Sequence, residues 1–455
     1  MIVATQRGPV SFRAEPGGGF TSRRGAGGVV SALAPLLTGN PDARWVAAAA
    51  SADDRAAVRA GAANVAGLDL HLLELDENDH RLHLDVFCNA TLWFLYHGLF
   101  DFVRRPRFDG RFREAWQAYQ AVNEHFADAI ATDATRNDAV VVNDYHLALV
   151  PAMLRARRPD LRVLHFTHTP FCGPNGIRAL PDAVAETLCA SLAGGPTGFH
   201  TTRWARAFAA SATEVLGSPP AHEPFVSPLG PDGDALEAAR AMPEVATARD
   251  ALAEVVGDRM LIVRSDRIEP SKNLVRGFLA YDVLLESRPD LRGRVVFVAM
   301  VYGSRQGLAE YLAYASEVEQ VVERVNERWG TASWQPIVLD DRDDFARTVA
   351  GLERYDVLLV NPLSDGLNLV AKEGPLLNRR DGVVCLSREA GAFAELAPAV
   401  EMVHPFDLDQ TAAALATALD RDADDRASRA ARLRVLAGTY TPRTWLNDLL
   451  AHLEG

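Results

Sequence analysis

The sequence predicts an α/β protein of two Rossmann-like domains, each a doubly wound parallel sheet covered by helices, that face each other across a cleft. Three observations predict this fold class. At 455 residues the chain suits two domains of about 200 residues each. Continuous apolar runs alternate with amphipathic segments, as in sheets buried on both faces. One turn-rich stretch divides this alternation into two series.

Short apolar runs predict the strands. The first series contains MIVAT, RWVAAAA, LDLHLLEL, AVVVND, VLHFTH and GFHTT, and the second contains MLIVRS, VVFVAMV, PIVL, VLLVNP and GVVCLS. Segments with helical spacing lie between them, including Ser31–Leu37, Arg113–Thr132, Asn273–Glu286 and Leu308–Arg328. Such alternation is typical of parallel sheets with helical crossovers.

The stretch Gly217–Asp234 is rich in Gly and Pro and is predicted to link the two domains, with a hinge near residue 228. The expected boundaries are 1–228 for the N-terminal domain and 229–435 for the C-terminal domain. Residues 436–455 are expected to return to the N-terminal domain, because Thr444–Leu453 has the apolar spacing of a packed helix.

Composition excludes several classes of function. A formal net charge of −13 disfavours nucleic acid as a partner. No apolar run approaches the roughly 20 residues of a membrane span, and the start MIVATQRGPV predicts a strand rather than a signal peptide. The four cysteines are far apart, which indicates reduced thiols in a cytoplasmic protein and no metal cluster: Cys88, Cys172, Cys189 and Cys385.

Two features of the first half suggest ligand binding. Gly25, Gly27 and Gly28 precede a predicted helix, where backbone N–H groups can contact an anion, although Val30 breaks the dinucleotide fingerprint and a plain turn is the alternative. Asp144 and His168 each follow a predicted strand and would meet in one crevice of a doubly wound sheet. The alternative is a strand-end cap and a core histidine.

The second half supplies cations and an anion-binding turn. Arg267, Lys272 and Arg305 follow predicted strands and suit phosphate oxygens, with solvated surface charge as the alternative. In VLLVNPLSDGLNLVAKE, a turn at Asp365 precedes a helix expected to open at residues 367–368 and to carry Glu373. Helix-start N–H groups bind anions, and carboxylates accept hydrogen bonds from sugar hydroxyls.

The runs NDYHLALVPAMLRARRPDLR, HTPF…RALP, DRIEPSKN and DGLNLVAKE occur in an order and spacing that resemble the trehalose-6-phosphate synthases. These are retaining glycosyltransferases of family 20 with the GT-B architecture, and the resemblance covers almost the whole chain. It implies transfer of glucose from GDP-glucose or UDP-glucose to glucose 6-phosphate, giving trehalose 6-phosphate. It also implies that no metal or cofactor takes part and that the leaving diphosphate accepts the proton of the acceptor hydroxyl.

The resemblance also assigns roles to residues. It implies an acceptor domain at 1–228 and a nucleotide-sugar domain at 229–435. The implied donor-binding residues are Gly28, His168, Arg267, Lys272, Asp365, Gly366, Leu367, Asn368, Leu369 and Glu373. The implied acceptor-binding residues are Arg7, Trp93, Asp144 and Arg305, and the implied catalytic residues are Asp144, His168, Arg267 and Lys272. The expected partners are these two substrates and, as one option, further copies of the chain.

This chain departs from the family pattern on the acceptor side. Leu84 replaces a tyrosine and Ala48 replaces a tryptophan there. Elsewhere, Asn175 and Ile177 replace an acidic residue and a phenylalanine after HTPF, and Ser364 replaces the arginine that often precedes DG. Leu84, Ala48 and the altered stretch after HTPF keep an alternative open: a secondary-metabolism glycosyltransferase or pseudo-glycosyltransferase that joins an activated sugar or cyclitol to another phosphorylated sugar or aminocyclitol. A catalytically silent sugar-phosphate sensor is a third reading, and the intact donor residues disfavour it.

Overall fold

The protein is described by a computed structural model that covers residues 1–25 and 27–454. The chain divides into two compact units. Unit 1 comprises Met1–Leu229 and the segment from Pro442 onward, and unit 2 comprises Gly230–Thr441. The boundary expected at 435/436 falls inside the helix Ala423–Ala437, so the returning segment begins later, at Pro442.

The first part of unit 1 alternates strands and helices. Its strands are β1 (Ile2–Arg7), β2 (Val10–Ala14), β3 (Phe20–Arg24), β4 (Arg44–Ala48), β5 (Asp69–Leu73), β6 (Ala139–Asn143), β7 (Arg162–Thr167), β8 (Thr197–Phe199) and β9 (Phe225–Val226). Its α-helices are α1 (Gly28–Leu37), α2 (Ala52–Arg59), α3 (Glu77–Arg81), α4 (Trp93–His97), α5 (Gly110–Asp133), α6 (Val150–Arg157), α7 (Pro174–Ile177), α8 (Asp182–Ala193) and α9 (Thr202–Leu216). A π-helix, Leu82–Leu92, joins α3 to α4, and a 3₁₀ turn, Tyr145–Leu147, follows β6.

Unit 2 repeats the alternation, and a last helix completes unit 1. The strands are β10 (Met260–Ile268), β11 (Val295–Gly303), β12 (Ile337–Asp340), β13 (Val357–Val360), β14 (Val383–Ser387) and β15 (Glu401–Val403). The helices are α10 (Gly233–Arg240), α11 (Pro243–Val256), α12 (Leu274–Ser287), α13 (Ala309–Trp329), α14 (Phe345–Arg354), α15 (Val370–Leu377), α16 (Phe393–Leu396), α17 (Leu408–Asp420) and α18 (Ala423–Ala437). Short 3₁₀ turns lie at Pro270–Lys272, Pro289–Leu291 and Ala397–Ala399. Helix α19 (Pro442–Ala451) belongs to unit 1.

Each unit contains one parallel sheet in which the strand order reverses. The order in unit 1 is β5-β4-β1-β6-β7-β8-β9, and in unit 2 it is β12-β11-β10-β13-β14-β15. The chain therefore winds outward from β1 and then resumes at β6, and it does the same from β10 to β13. This confirms the predicted α/β class with two doubly wound parallel sheets. Open sheets bind ligands where the order reverses, at the carboxyl ends of the strands.

The sequence runs locate the central strands, and the structure adds elements that the runs do not indicate. These are the antiparallel hairpin β2–β3 and the edge strands β9 and β15. The expected linker Gly217–Asp234 is not all turn, because it contains β9 and the first residues of α10. Among the described residues, none of the helices has the length and apolar character that crossing a membrane requires.

Side-chain caps and aromatic packing explain the local structure near β8. Helix α9 is capped at its start by Thr201, whose hydroxyl accepts from the backbone N–H of Trp204, and at its end by Gly217, which has the positive φ favoured there. In unit 1, Phe166 of β7 packs beside Phe225 of β9 and Trp445 of α19. A Cβ atom on Gly198 of β8 would lie 2.4 Å from Phe225 and 2.6 Å from Phe166. The aromatic layer therefore needs a glycine at this position.

We expect Gly198→Ala to lower the free energy of unfolding by about 1–3 kcal/mol, because the added methyl group overpacks this layer. Gly110→Ala is the control, since Gly110 begins α5 and a Cβ atom added there would meet no neighbouring side chain or loop within 4 Å. The control should be neutral or stabilising by up to about 1 kcal/mol. Urea unfolding of both variants measures the difference, and equal stabilities would contradict this account of β8.

Candidate active site

Asp144 occupies a strained position at the carboxyl end of β6. Its backbone has φ 66° and ψ 169°, a region that glycine favours and other residues avoid. Its carboxylate accepts hydrogen bonds from the backbone N–H of His168, at 3.2 Å, and from the hydroxyl of Thr169, at 3.5 Å. The structure thus brings Asp144 and His168 together, at the point where the strand order of unit 1 reverses.

The ring of His168 is held by two neighbours in unit 1. Its Nε2 lies 2.9 Å from Oδ1 of Asn143, and its Nδ1 lies 3.1 Å from Nε2 of His200. Burial, followed by the nearby rings of His200 and His165, holds the pKa of His168 well below its usual value. His168 is therefore neutral at physiological pH.

Arg7 and the glycine-rich loop lie near the carboxyl end of β1. The hydroxyl of Thr5 donates to the carbonyl of Arg7 at 2.6 Å and accepts from the indole N–H of Trp45 at 2.7 Å. The backbone N–H of Gly25 donates to the carbonyl of Pro9 at 2.7 Å. Ala26 lies outside the described residues, and Gly28 is the first residue of α1.

Trp93 is 2% exposed, and its ring stacks on that of His97 at 4.2 Å. It begins α4, directly after the π-helix. Leu84 lies partly buried in that π-helix. Ala48 ends β4, where it pairs in register with Arg7. These two acceptor-side departures are therefore in unit 1, and Ala48 pairs directly with Arg7.

Glu269 pairs with two arginines of unit 2 that were predicted to bind phosphate oxygens, Arg267 and Arg305. One of its carboxylate oxygens lies 3.2 Å from Nε of Arg267 and 3.6 Å from Nη1 of Arg305, and it also accepts from the hydroxyl of Ser304. Burial alone would raise the pKa of Glu269, but Arg267, Arg305 and Lys272 outweigh burial and lower this pKa to about 2. In return, the Glu269 carboxylate raises the pKa of Arg267.

Lys272 and Asp365 form an ion pair in unit 2. The ammonium group lies 2.6 Å from Oδ2 of Asp365, and the Asn368 amide donates to the same oxygen at 3.1 Å. Burial would lower the pKa of Lys272, but Asp365 and Asp266 raise it overall. Arg264 forms a buried ion pair with Asp266 and also donates to the carbonyl of Lys272 at 2.9 Å, which fixes the end of the 3₁₀ turn Pro270–Lys272.

The turn after β13 is tightly fixed. A Cβ atom on Gly391 would lie 2.0 Å from the carbonyl oxygen of Gly366, so the two segments approach as only glycine permits. Asn368 has φ 78°, and its side chain accepts from the N–H of Ala371 at 3.2 Å. Helix α15 therefore starts at Val370, after Leu367 and Leu369, and not at 367–368 as expected.

Glu373 lies in the first turn of α15, where burial raises its pKa to about 7. Lys272, Arg305 and the residues from Asp365 to Glu373 follow β10, β11 and β13, as expected. Arg267 does not follow its strand, because it lies within β10 and pairs with Tyr302 of β11. Sequence reasoning did not single out Glu269, Asn143 or His200, although Glu269 lies within the motif DRIEPSKN. No group of three or more His, Cys, Asp or Glu in the described part of the chain is placed to hold a metal ion. Independence from metals and cofactors stays a prediction.

Two doubly wound parallel-sheet units with polar side chains at the carboxyl ends of their strands define a protein of the GT-B class. The model of glycosyltransferase family 20 matches residues 1–455, and the chain belongs to this family.

Similar proteins support this membership. An Arabidopsis thaliana protein, "Alpha,alpha-trehalose-phosphate synthase [UDP-forming] 1", is 30% identical over 100% of this chain and 49% of its own length. A structure from E. coli, bound with UDP-2-fluoro glucose, has a TM-score of 0.84 at 26% identity and covers 100% of this chain and 98% of that one. An alpha,alpha-trehalose-phosphate synthase (UDP-forming) from Burkholderia xenovorans in complex with glucose-6-phosphate has a TM-score of 0.84 at 25% identity and covers 100% and 99%. The chain spans about half the length of the first curated relatives it matches.

We expect Asp144→Gly to be more stable than Asp144→Ala by about 1–2 kcal/mol. Both lose the carboxylate, but only glycine relieves the backbone strain, which reverses the usual advantage of alanine. Asp234, exposed in the first turn of α10, is the control position, where the alanine variant should be the more stable of the two. Urea unfolding measures all four variants, and the usual order at both positions would contradict strain at Asp144.

We expect Glu373→Gln to stabilise the protein at pH 8 by about 2 kcal/mol and to change little at pH 4. The folded carboxyl holds its proton up to about pH 7, against an ordinary value of 4.5. Between these values the unfolded chain loses the proton first, so the free energy of unfolding falls as pH rises, and glutamine removes this loss. Denaturation at both pH values tests it, with exposed Glu319→Gln as control. An equal effect at both pH values would contradict the raised pKa.

Proposed function

We propose that the protein transfers glucose from a nucleoside diphosphate glucose to glucose 6-phosphate, giving trehalose 6-phosphate with retention at the anomeric carbon. The observation that carries this proposal is the cation cluster of unit 2, where Arg267 and Arg305 are paired with Glu269 and Lys272 is paired with Asp365. Similar structures bound with UDP-2-fluoro glucose and with glucose-6-phosphate support the two substrate classes.

The donor binds at unit 2 in this proposal. Arg267 and Lys272 contact the diphosphate, and Lys272 exchanges Asp365 for phosphate oxygens. Asp365 then accepts hydrogen bonds from the donor sugar, together with backbone N–H groups of Gly366, Leu367, Asn368 and Leu369. Glu373 accepts from the ribose, and His168 and Gly28 complete the donor contacts. An ion pair that opens onto the ligand supplies both a cation and an anion without reorganising the surrounding turn.

The acceptor contacts are Arg7, Trp93, Asp144 and Arg305 in this proposal. The guanidinium groups suit a phosphate dianion, because their fork geometry matches its oxygens. The strained backbone of Asp144 supports a direct role for its carboxylate, since strain of this kind accumulates at functional sites.

The chemical step needs no covalent carboxylate nucleophile in this mechanism. The acceptor hydroxyl attacks on the face that the leaving diphosphate occupies, and its proton passes to the departing phosphate oxygen. Arg267 and Lys272 stabilise the negative charge that develops on the diphosphate, which is the largest expected contribution to the rate. Asp144 and His168 position the acceptor and the donor sugar.

A second candidate is transfer to a different phosphorylated sugar or an aminocyclitol, from an activated sugar or cyclitol. The observation that favours it is the pairing of Ala48 with Arg7, because a small side chain stands where the family has tryptophan. Leu84 removes a phenol hydroxyl from the neighbouring π-helix. A site that lacks a hydrogen-bond partner for a substrate hydroxyl loses selectivity for that hydroxyl.

The test is release of nucleoside diphosphate from UDP-glucose and from GDP-glucose, each with and without glucose 6-phosphate, with mass analysis of the product. Acceptor-dependent release and a disaccharide phosphate are expected, and the faster donor identifies the base. Donor binding without this product would overturn the proposed acceptor and favour the second candidate.

The variants Arg267→Gln and Arg305→Gln, measured in the same assay, test the roles assigned to the two arginines. Each variant removes one cationic partner of Glu269, so each is a control for the general effect of that loss. We expect Arg267→Gln to impair the donor, with a lower kcat and a higher donor KM. Arg305→Gln should instead raise the acceptor KM. Each effect should be about 10- to 100-fold, since each variant loses a charge-assisted contact. Identical effects of the two variants on both substrates would contradict the assigned division of roles.

A further inference from the structure

A chain of hydrogen bonds runs through His168 within unit 1. It begins at the backbone N–H of Leu229, which donates to Nδ1 of His200 at 3.3 Å. Nε2 of His200 lies 3.1 Å from Nδ1 of His168, and Nε2 of His168 lies 2.9 Å from Oδ1 of Asn143. The chain ends where the Asn143 amide donates to the carbonyl of Ala4 at 3.2 Å.

The backbone N–H of Leu229 fixes the donor-to-acceptor direction of every hydrogen bond in this series. A backbone N–H can only donate, so Nδ1 of His200 carries no proton and the neutral ring is protonated at Nε2. This N–H then donates to Nδ1 of His168, whose own proton must be on Nε2, facing Asn143. The other end gives the same result, because the Asn143 amide nitrogen faces two carbonyls and leaves Oδ1 to accept from His168.

The surroundings of His168 favour this neutral arrangement. The ring of Phe166 lies 4.9 Å from that of His168, and the ring of Trp445 lies 5.6 Å away. The titratable neighbours are His200, His165 and the carboxylate of Asp144, which accepts from the His168 backbone. A proton added at Nδ1 of His168 would face the N–H of His200, in addition to the cost of charging a partly buried ring.

We propose that His200 is a positioning residue, which fixes the tautomer and ring orientation of His168 and, through the His168 backbone N–H, the carboxylate of Asp144. This inference rests on the proposed function, in which His168 and Asp144 contact the substrates. In the other tautomer, the N–H at Nδ1 of His168 would point at the N–H at Nε2 of His200, and the two would repel. Oδ1 of Asn143 would also lose its hydrogen-bond donor. His200 therefore selects one arrangement of the pair at the carboxyl ends of β6 and β7.

Two variants separate the two contacts of His200. His200→Gln keeps an N–H donor near the position of Nε2, which faces His168, and loses the acceptor for Leu229. His200→Asn keeps an acceptor near the position of Nδ1 for Leu229 and loses the donor to His168. Both remove the ring, so they share the loss of packing against Phe166. If His200 positions His168, the two variants should differ in the tautomer of His168 and in the pH profile of transfer. If His200 only packs against Phe166, the two variants should give equal results.

The first measurement needs no substrate. Nitrogen-15 NMR of the histidine-labelled protein reports which ring nitrogen carries the proton, and comparison with His168→Gln assigns the signal. We expect a proton on Nε2 of His168 in the wild-type protein and in His200→Gln, and mixed tautomers in His200→Asn. A proton on Nδ1 in the wild-type protein would overturn the proposal. This result stands whether or not glucose transfer is found, so failure of the proposed function is distinguishable.

The second measurement is the pH profile of transfer. We expect His200→Asn to lower kcat about tenfold, because a buried acceptor loses its donor. Its acid limb should also move to higher pH, because Nδ1 of His168 no longer faces an N–H and can take up a proton. His200→Gln should retain the wild-type acid limb and most of the activity. Equal kcat values and equal acid limbs for the two variants would overturn the positioning role.

Discussion

One buried carboxylate, Glu269, makes the cation cluster of unit 2 possible. Cations that meet near one another in a region of low polarity repel, and each also loses its hydration. Arg267 and Arg305 approach the same oxygen of Glu269, and Lys272 acts on the same group. The Glu269 carboxylate offsets the repulsion between the two arginines, while Asp365 and Asp266 raise the pKa of Lys272. In the proposed function, stabilisation of a leaving diphosphate would then require little movement of the arginines, because Glu269 already holds them near one another.

In unit 1, neutral hydrogen-bonding groups and a strained backbone hold His168 and Asp144 in place. His168 is partly buried and uncharged, and its two ring nitrogens are held by Asn143 and His200. Asp144 keeps an unfavourable backbone conformation because its N–H donates to the carbonyl of Phe166 at 2.8 Å and its carboxylate accepts from His168. The neighbouring strand β7 and the residue that follows it therefore hold a conformation that an isolated loop would not keep. The same topological position, where the strand order reverses, carries charge pairs in one unit and strain in the other.

Sequence reasoning locates what depends on local pattern and misses what depends on contacts across the chain. Apolar runs identify the central strands, because burial on both faces demands continuous apolar sequence. The edge strands Phe225–Val226 and Glu401–Val403 are too short to leave such a pattern. Motif spacing points to Lys272 and Asp365 separately, but the two are 93 residues apart and only the fold shows that they form an ion pair. Likewise, nothing in the letters GFHTT indicates that His200 touches His168.

The acceptor-side departures bear on how selective the site is. Arg7 ends β1, where the Thr5 hydroxyl, itself held by Trp45, donates to the Arg7 carbonyl, so the proposed phosphate ligand has a fixed backbone. Its neighbour Ala48 presents only a methyl group, and Leu84 has no hydroxyl to offer. Losing hydrogen-bond partners does not create affinity for a new hydroxyl pattern, because it only removes the penalty for lacking the old one. Under the proposed function, these two residues predict a phosphorylated acceptor that is chosen less strictly, and a switch to one different acceptor would need an added polar contact elsewhere in unit 1.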